Sequence, residues 1–173
     1  MYLFNKNVTK KSYLWTLDRL VIGVAIGGAL IRLGNLMNHE IYGYATDVPW
    51  AFRFITNIHS WQNGATPIFS PPSHPTQIYE MLYCLITFAV LIFMYRKTKA
   101  AQKEGLIFGV FLVGIFLTRF LLEFIKENQV EFENTITLKM GQLLSIPFFL
   151  TGFYLILRNI STKPEITTNK TKA

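Results

Sequence analysis

The sequence has few of the residues that build disulfide-bonded domains and metal sites. It contains one cysteine, Cys84, and three histidines in 173 residues. A single cysteine cannot form a disulfide within the chain, and no cysteine and histidine cluster has the spacing of a metal site. The sequence also lacks a glycine-rich phosphate-binding loop and an internal repeat. These absences argue against a disulfide-stabilised domain, and they predict neither a metal nor a cofactor.

Charged residues are scarce over four long stretches of the sequence. Each stretch is long enough to cross about 30 Å of hydrocarbon as a helix, and together they cover residues 17–37, 77–95, 106–125 and 140–157. Hydrophobic residues make up 51% of the chain, which is too apolar for an ordinary soluble domain of this size. The sequence therefore predicts an all-α polytopic membrane protein with about four transmembrane helices.

The basic residues predict the orientation of these spans. Three Lys residues precede the first span, four Lys or Arg residues lie between the second and third, and four follow the fourth. The connection over residues 38–76 contains only Arg53, and residues 127–137 contain neither Lys nor Arg. By the positive-inside rule, both termini are predicted to be cytoplasmic, and residues 38–76 to form a small periplasmic cap. The net charge of +7 is then explained by the orientation of the spans and by contact with anionic lipid headgroups. We therefore predict no nucleic-acid partner.

The composition divides the chain into two parts. Residues 1–158 are predicted to form one membrane-embedded domain that includes the cap. Residues 159–173 contain few apolar side chains, so they are predicted to form a disordered cytoplasmic tail.

Polar segments interrupt the ends of the four spans. In the first, Arg32, Asn35 and His39 fall on one stripe of a helix. The others read SPPSHPTQIYEML, LTRFLLEFIKEN and LKMGQLLS. A helix is predicted to start near Thr76, after a proline-rich approach. In the predicted topology, all four polar segments meet at the outer leaflet.

Arg32 and Arg119 are the two arginines of these polar segments. An arginine at the centre of a span costs about 2.5–3.5 kcal/mol on insertion scales, so each needs partners or a function. Each could reach the headgroups or pair internally, for example Arg119 with Glu123 four residues later. Guanidinium groups bind phosphate through two parallel hydrogen bonds. Two arginines at one depth, with carboxylates and amides nearby, favour a site for an anionic phospholipid headgroup.

Five segments, in this order and spacing, resemble the prolipoprotein diacylglyceryl transferase family. They read RLGNLMNHEIYG, TDVPWAF, HPTQIYE, TRFLLEF and MGQLLS. The resemblance extends over residues 13–158, and it corresponds to the C-terminal half or more of that family.

The resemblance implies a bacterial inner-membrane enzyme. Such an enzyme transfers the diacylglyceryl group of phosphatidylglycerol to the lipobox cysteine thiol of a prolipoprotein signal peptide, in lipoprotein maturation. The product is a thioether, and glycerol phosphate leaves. The implied partners are phosphatidylglycerol, the prolipoprotein and membrane lipids, and no metal or soluble cofactor is implied.

The resemblance also implies the site residues. Arg32 and Arg119 would be catalytic, because fixed guanidinium groups stabilise the negative charge of a leaving phosphate. The carboxylates of the site are expected to orient the arginines rather than to act as bases, since a guanidinium keeps a neighbouring carboxylate ionised. The implied substrate-binding residues are Arg32, Asn35, Glu40, Gly43, His74, Gln77, Tyr79, Glu80 and Glu123.

Two features of the family do not occur in this sequence. The family has a His-Gly signature upstream of the Arg32 segment, whereas no His-Gly pair occurs here, and Ile115 stands where the family has a tyrosine. The chain is therefore expected to be a fragment, a truncated gene product, or one half of a split enzyme with a separate N-terminal half. By itself, it is expected to bind phosphatidylglycerol without forming the thioether. The alternative functions are a truncated, inactive homologue that binds phospholipid or lipoprotein without turnover, and a structural membrane subunit or transporter fragment.

Overall fold

Four long helices form the body of the protein. The computed structural model describes residues 5–126 and 139–161. The helices in chain order are α1 (Tyr13–Met37), the short α2 (Ile58–Gln62), α3 (Thr76–Lys97), α4 (Leu106–Leu122) and α5 (Met140–Ser161). A 3₁₀ turn, Glu123–Ile125, continues α4. The four long helices, with this turn included, are long and apolar enough to cross a membrane. The prediction of an all-α polytopic membrane protein with four spans is confirmed.

Local sequence signals set several helix ends. The Ser12 hydroxyl accepts a hydrogen bond from the Trp15 N–H at 3.1 Å, which caps the start of α1. Helix α3 begins directly after Pro75, as predicted. Helix α5 continues to Ser161, so residues 159–161, assigned above to the disordered tail, are helical. The remaining predicted tail and the predicted loop over residues 127–137 lie outside the described residues.

Helices α1, α3 and α4 pack against one another, and α5 packs on α4. Small glycines let α4 and α5 approach closely, because a Cβ atom on Gly152 would lie 2.8 Å from the carbonyl oxygen of Gly109. The buried apolar residues shared by the first three helices include Val21, Ala25, Leu91, Ile107 and Leu112. This packing leaves α5 at one side of the bundle, against α4.

Asp18 in α1 caps α4 from a neighbouring helix. Its carboxylate accepts hydrogen bonds from the Gly105 N–H at 2.7 Å and the Phe108 N–H at 2.8 Å. Gly105 has a left-handed φ of 88°, which suits a glycine directly before the first turn of α4. A negative charge at a helix N-terminus is favourable. This buried carboxylate lies at the end of the bundle opposite the polar segments.

Residues 38–75 fold into a small unit between α1 and α3. Isolated antiparallel bridges join Ala45 and Phe52 to Ser73, and Ile55 to Phe69. Phe54 is 1% exposed at the centre of the unit. The unit, called the cap below, lies at the end of the bundle where α1 ends and α3 begins. Its periplasmic location stays a prediction.

Candidate functional site

The polar segments meet because successive long helices run in opposite directions. Arg32 lies near the end of α1, Glu80 in the second turn of α3, and Arg119 in the last turn of α4. Gln142 and Ser145 lie in the first turns of α5, and both are buried. We call this end of the bundle, where α1 and α4 end and α3 and α5 begin, the polar end.

Glu80 is the centre of a buried ion cluster at the polar end. Its side chain is 1% exposed, and its Oε2 atom lies 2.8 Å from the Nε atom of Arg32. Its Oε1 atom lies 3.0 Å from the Nζ atom of Lys126, whose side chain is 3% exposed. Two cations and one carboxylate give this cluster a net charge of +1. Because water is largely excluded here, that charge strongly favours a bound anion.

Lys126 is the member of this cluster that the sequence analysis missed. It follows the 3₁₀ turn after α4, and its backbone forms an antiparallel bridge with Gly43. In sequence, it looks like the first residue of a polar loop. Its place in the site could have been predicted from spacing. Lys126 follows Arg119 by seven residues and Glu123 by three, and these offsets would put all three on one face of a helix.

Gly43 permits the close approach that places Lys126. The Gly43 N–H donates to the His74 carbonyl at 2.9 Å, and the next residue, Tyr44, donates its N–H to the Ile125 carbonyl at 3.0 Å. A Cβ atom on Gly43 would lie 2.6 Å from that Ile125 oxygen. Gly43 therefore has a packing role between the start of α3 and the end of α4. Its predicted contact with substrate stays a prediction.

Arg32 is held by an amide as well as by Glu80. Its Nη1 atom donates to Asn35 Oδ1 at 3.2 Å, and Asn35 Nδ2 donates to Glu40 Oε1 at 2.7 Å. The Nε–H of Arg32 does not point along the 2.8 Å line to Glu80, so that contact is an ion pair without a hydrogen bond. Glu80 thus contacts Arg32 directly, whereas Glu40 reaches it only through Asn35.

The turn that carries Glu40 is strained. His39 and Ile41 have φ values of 55° and 59°, a region that a β-branched residue such as Ile41 rarely adopts. Two side chains at the start of α3 hold the turn in place. Gln77 Nε2 donates to the Glu40 carbonyl at 2.7 Å, and Thr76 Oγ1 donates to the Ile41 carbonyl at 3.0 Å. The start of α3 therefore fixes the position of Glu40 through its backbone.

His74 and Tyr79 form a separate polar chain with Trp50 of the cap. Trp50 Nε1 donates to the Tyr79 hydroxyl at 2.7 Å, and His74 Nδ1 lies 3.3 Å from the same oxygen. The indole N–H can only donate, which leaves the Tyr79 hydroxyl hydrogen free to bond His74 Nδ1. Among the described residues, neither His74 nor Tyr79 forms a hydrogen bond or ion pair with Arg32 or Glu80. The structure therefore places this pair beside the ion cluster rather than in it.

Arg119 differs from Arg32 in that its buried nitrogen has no close partner within the part of the chain that the structure describes. Its Nε atom is buried and has no hydrogen-bond partner within residues 5–126 and 139–161. Arg119, Arg32 and Glu80 all lie close enough to the Tyr83 hydroxyl to act on it electrostatically, so the two arginines converge on one part of α3. A buried N–H without a protein acceptor is costly, and a ligand oxygen would satisfy it.

Glu123 does not pair with Arg119, although the two residues are four positions apart. Among the described residues, no ion pair joins Glu123 to Arg119. The Glu123 carboxylate instead packs on Gly141, where a Cβ atom would lie 2.6 Å from Glu123 Cδ. A carboxylate is favourable in this position, at the first turn of α5. The internal Arg119–Glu123 pair considered above is therefore wrong, and no ion pair within the described residues engages the guanidinium of Arg119.

The donors at this site suit an oxyanion. Three buried or half-buried cations, Arg32, Arg119 and Lys126, lie at the polar end, and among the described residues Glu80 is the carboxylate that forms ion pairs with two of them. Within the described ranges, no three His, Cys, Asp or Glu side chains gather closely enough to hold a metal ion.

The comparisons with known proteins agree with the motifs. The family model for prolipoprotein diacylglyceryl transferase matches residues 1–158. Proteins named phosphatidylglycerol–prolipoprotein diacylglyceryl transferase are similar to the chain: one from Porphyromonas gingivalis is 48% identical over 92% of it, and one from Bacteroides fragilis is 42% identical over 84%. These alignments cover 57% and 49% of the two relatives, so the chain spans about half their length. No solved structure matches the chain. The family model covers nearly the whole sequence and the relatives exceed 40% identity, so the chain belongs to the prolipoprotein diacylglyceryl transferase family.

Proposed function

We propose that the chain binds phosphatidylglycerol and, together with any N-terminal part that belongs to it, transfers the diacylglyceryl group of this lipid to the lipobox cysteine of a prolipoprotein. The names of the relatives give both substrates. The observation that carries the proposal is the cluster of Arg32, Glu80 and Lys126, with a net charge of +1, beside Arg119, whose buried Nε has no hydrogen-bond partner among the described residues. This arrangement supplies positive charge and open N–H donors to a phosphate.

The reaction requires charge stabilisation on the leaving group. The cysteine sulfur forms a bond to the glycerol carbon of the diacylglyceryl group, and the bond from that carbon to the phosphate oxygen breaks. Glycerol phosphate leaves with the bonding electrons, and the thiol proton passes to a base. Arg32 and Arg119 are the proposed catalytic residues, because guanidinium groups fixed before the reaction stabilise the developing negative charge.

The guanidinium of Arg32 must be held in a fixed orientation to stabilise the leaving phosphate. Asn35 engages Nη1 and Glu80 lies against Nε, so two nitrogens of the guanidinium are held by protein. Nη2 has no protein partner in the described part of the chain, and we assign it to the phosphate. Lys126 balances Glu80 and thereby limits how tightly this carboxylate neutralises Arg32. Lys126 is in this account a positioning residue.

The other predicted site residues surround this centre. Glu40 and Gln77 position the end of α1 through Asn35 and through the strained turn. His74 and Tyr79, linked to Trp50, would line the side of the site nearest the cap. Their contact with substrate is part of the proposal.

We also propose the location. The distribution of Lys and Arg supports a bacterial inner-membrane protein with both termini in the cytoplasm, which places the polar end and the cap on the periplasmic side. The site would then face the leaflet in which a signal peptide presents its cysteine after export.

The test is conditional depletion of a host's own transferase. The gene that encodes this chain, with any in-frame upstream sequence, is expressed in that host, and prolipoprotein modification is followed by gel shift. We expect modification with the wild-type protein, loss with Arg119→Gln, and retention with Arg53→Gln, a change at an exposed arginine of the cap. A protein that binds phosphatidylglycerol vesicles but gives no modified prolipoprotein would be the inactive homologue, and would overturn the proposal.

A further inference from the structure

Two histidines at the polar end use the same ring nitrogen in their hydrogen bonds. His39 Nδ1 accepts a hydrogen bond from the backbone N–H of Ile55 at 3.2 Å, and His74 Nδ1 lies 3.3 Å from the Tyr79 hydroxyl oxygen. A neutral imidazole carries its proton on one nitrogen and a lone pair on the other, and it can take a further proton only at that lone pair. The partner of Nδ1 therefore decides whether each histidine can act as a base.

The tautomer of His39 follows from its partner alone. A backbone N–H can only donate, so Nδ1 holds the lone pair of the neutral ring and Nε2 holds the proton. The ring also meets the buried Phe54 edge-on, with 6.1 Å between the ring centroids. The lone pair of His39 is thus already engaged, and the residue presents an N–H group.

The tautomer of His74 depends on Trp50. A hydroxyl and an imidazole can exchange the roles of donor and acceptor, so the contact between Tyr79 and His74 does not fix the tautomer by itself. The indole N–H of Trp50 can only donate, and it bonds the Tyr79 hydroxyl oxygen at 2.7 Å. Because that oxygen already accepts from Trp50, its own hydrogen is directed to His74 Nδ1, and the proton of the neutral His74 ring lies on Nε2. Within the described residues, His74 Nε2 makes no hydrogen bond.

We propose that Trp50 is a positioning residue that acts through Tyr79 to fix His74 as a donor, so that His74 binds a substrate oxygen through its Nε2–H and does not take the thiol proton. This inference rests on the proposed function, and it assigns the role of His74 in that reaction. Trp50 belongs to the cap and is 57% exposed, so the cap sets the tautomer of a residue beside the ion cluster. The thiol proton passes to a group other than His39 and His74.

The two tautomers can be read directly by solid-state NMR. The protein, with nitrogen-15 in its histidines, is reconstituted in lipid bilayers at alkaline pH, where imidazole rings are neutral. The chemical shifts of the ring nitrogens show which of them carries the proton, and His74→Gln identifies the signals of His74. His39 is the internal reference, because its partner is a backbone N–H. We expect the proton on Nε2 in both residues, and a proton on Nδ1 of His74 would overturn the proposal.

A matched pair of tryptophan variants tests the role of Trp50. Trp50→Phe removes the indole N–H and keeps an aromatic ring, and Trp61→Phe makes the same change at another exposed tryptophan of the cap. Without the indole donor, the Tyr79 hydroxyl is free to accept from His74. We therefore expect a population of His74 protonated on Nδ1 in Trp50→Phe, with His39 unchanged, whereas Trp61→Phe should match the wild type. Unchanged His74 signals in Trp50→Phe would contradict the proposal.

Turnover then separates a donor from a base. The amide of His74→Gln places an N–H near the position of Nε2 but cannot take a proton, and His59→Gln, at an exposed histidine of the cap, is the control. Removal of a general base typically lowers kcat by roughly 10²–10⁴-fold, so we expect His74→Gln to keep kcat within about tenfold of the wild type. The loss should instead appear in the KM of the substrate that supplies the oxygen. A larger fall in kcat would show that His74 is the base. The NMR measurement requires no turnover, so an inactive protein with the expected tautomers contradicts only the transferase proposal.

Discussion

Lys126 Nζ lies 3.0 Å from Glu80 Oε1, and this contact joins the segment after α4 to the second turn of α3 inside the bundle. The same carboxylate faces Arg32 of α1 through its other oxygen. One acidic side chain therefore ties three membrane-spanning helices together at the polar end. Its loss would leave two buried cations facing each other, and the loss of either cation would leave a buried acid with one partner.

Lys126→Met tests this cluster first. Breaking a buried ion pair by removing one partner typically costs about 3 kcal/mol, so we expect a clear fall in thermal stability in detergent and loss of prolipoprotein modification. Lys126→Arg should retain most of both, because it preserves the charge. Lys99→Met, at an exposed lysine, is the control and should change neither. Full activity of Lys126→Met would show that Glu80 needs only Arg32.

The two arginines proposed to be catalytic should not tolerate substitution by lysine. Arg32→Lys and Arg119→Lys keep the charge but lose the planar donor fork, so we expect most transferase activity to disappear while membrane insertion persists. Arg53→Lys in the cap is the matched control and should remain active. The gel-shift assay and membrane fractionation measure the two properties. Normal turnover in both Lys variants would mean that neither guanidinium holds the leaving phosphate.

Gly43→Ala should disturb the site without touching a charged residue. The new Cβ atom would lie 2.6 Å from the Ile125 oxygen, so the segment before Lys126 has to move. We expect a loss of about 1–3 kcal/mol of stability, typical of overpacking, together with reduced transferase activity. Gly34→Ala is the control, because a Cβ atom there meets nothing within 4 Å. Equal stability of the two variants would contradict the packing role of Gly43.

The proposed orientation can be tested by cysteine labelling. In a Cys84→Ala background, Asn63→Cys in the cap should react with an impermeant maleimide in intact spheroplasts. Thr98→Cys, between α3 and α4, should react only after permeabilisation, because the Lys and Arg residues around it favour the cytoplasm. Equal reactivity at both positions in intact spheroplasts would rule out the assigned orientation.

Asp18→Asn should lower the stability of the protein without changing lipid binding at the polar end. An amide keeps one acceptor oxygen in place of two, so one of the two N–H bonds at the start of α4 is lost. We expect stability to fall by about 1–2 kcal/mol. The KM for phosphatidylglycerol should stay unchanged, because Asp18 lies at the opposite end of the bundle. A raised KM, measured well below the unfolding temperature, would contradict this separation.

Features that depend only on residues close to one another in the chain were predictable from the sequence. The four spans follow from apolar length, and the start of α3 follows from Pro75 and the prolines before it. Helical spacing places Arg32 and Asn35 on one face of α1, but the predicted stripe is wrong for His39, which lies beyond the helix end at Met37 with a left-handed φ of 55°. The pairing of Arg119 with Glu123 was not predictable in this way, since spacing of four permits contact but does not require it. The open space beside Gly141 gives the Glu123 carboxylate another position.

By itself, the sequence determined the membrane environment, the number of spans, the family and most of the polar residues at the polar end, although not Lys126, because hydrophobic length and motif spacing are local properties. Only the tertiary structure decided that Glu80 lies between Arg32 and Lys126, that Arg119 keeps a buried donor without a partner among the described residues, and that Glu123 packs on Gly141. Each of these depends on how helices distant in the chain pack together. Burial then decides which of the possible pairs form. A charged or donor group that is removed from water is costly unless it pairs, and its partner is the group that the packing places next to it.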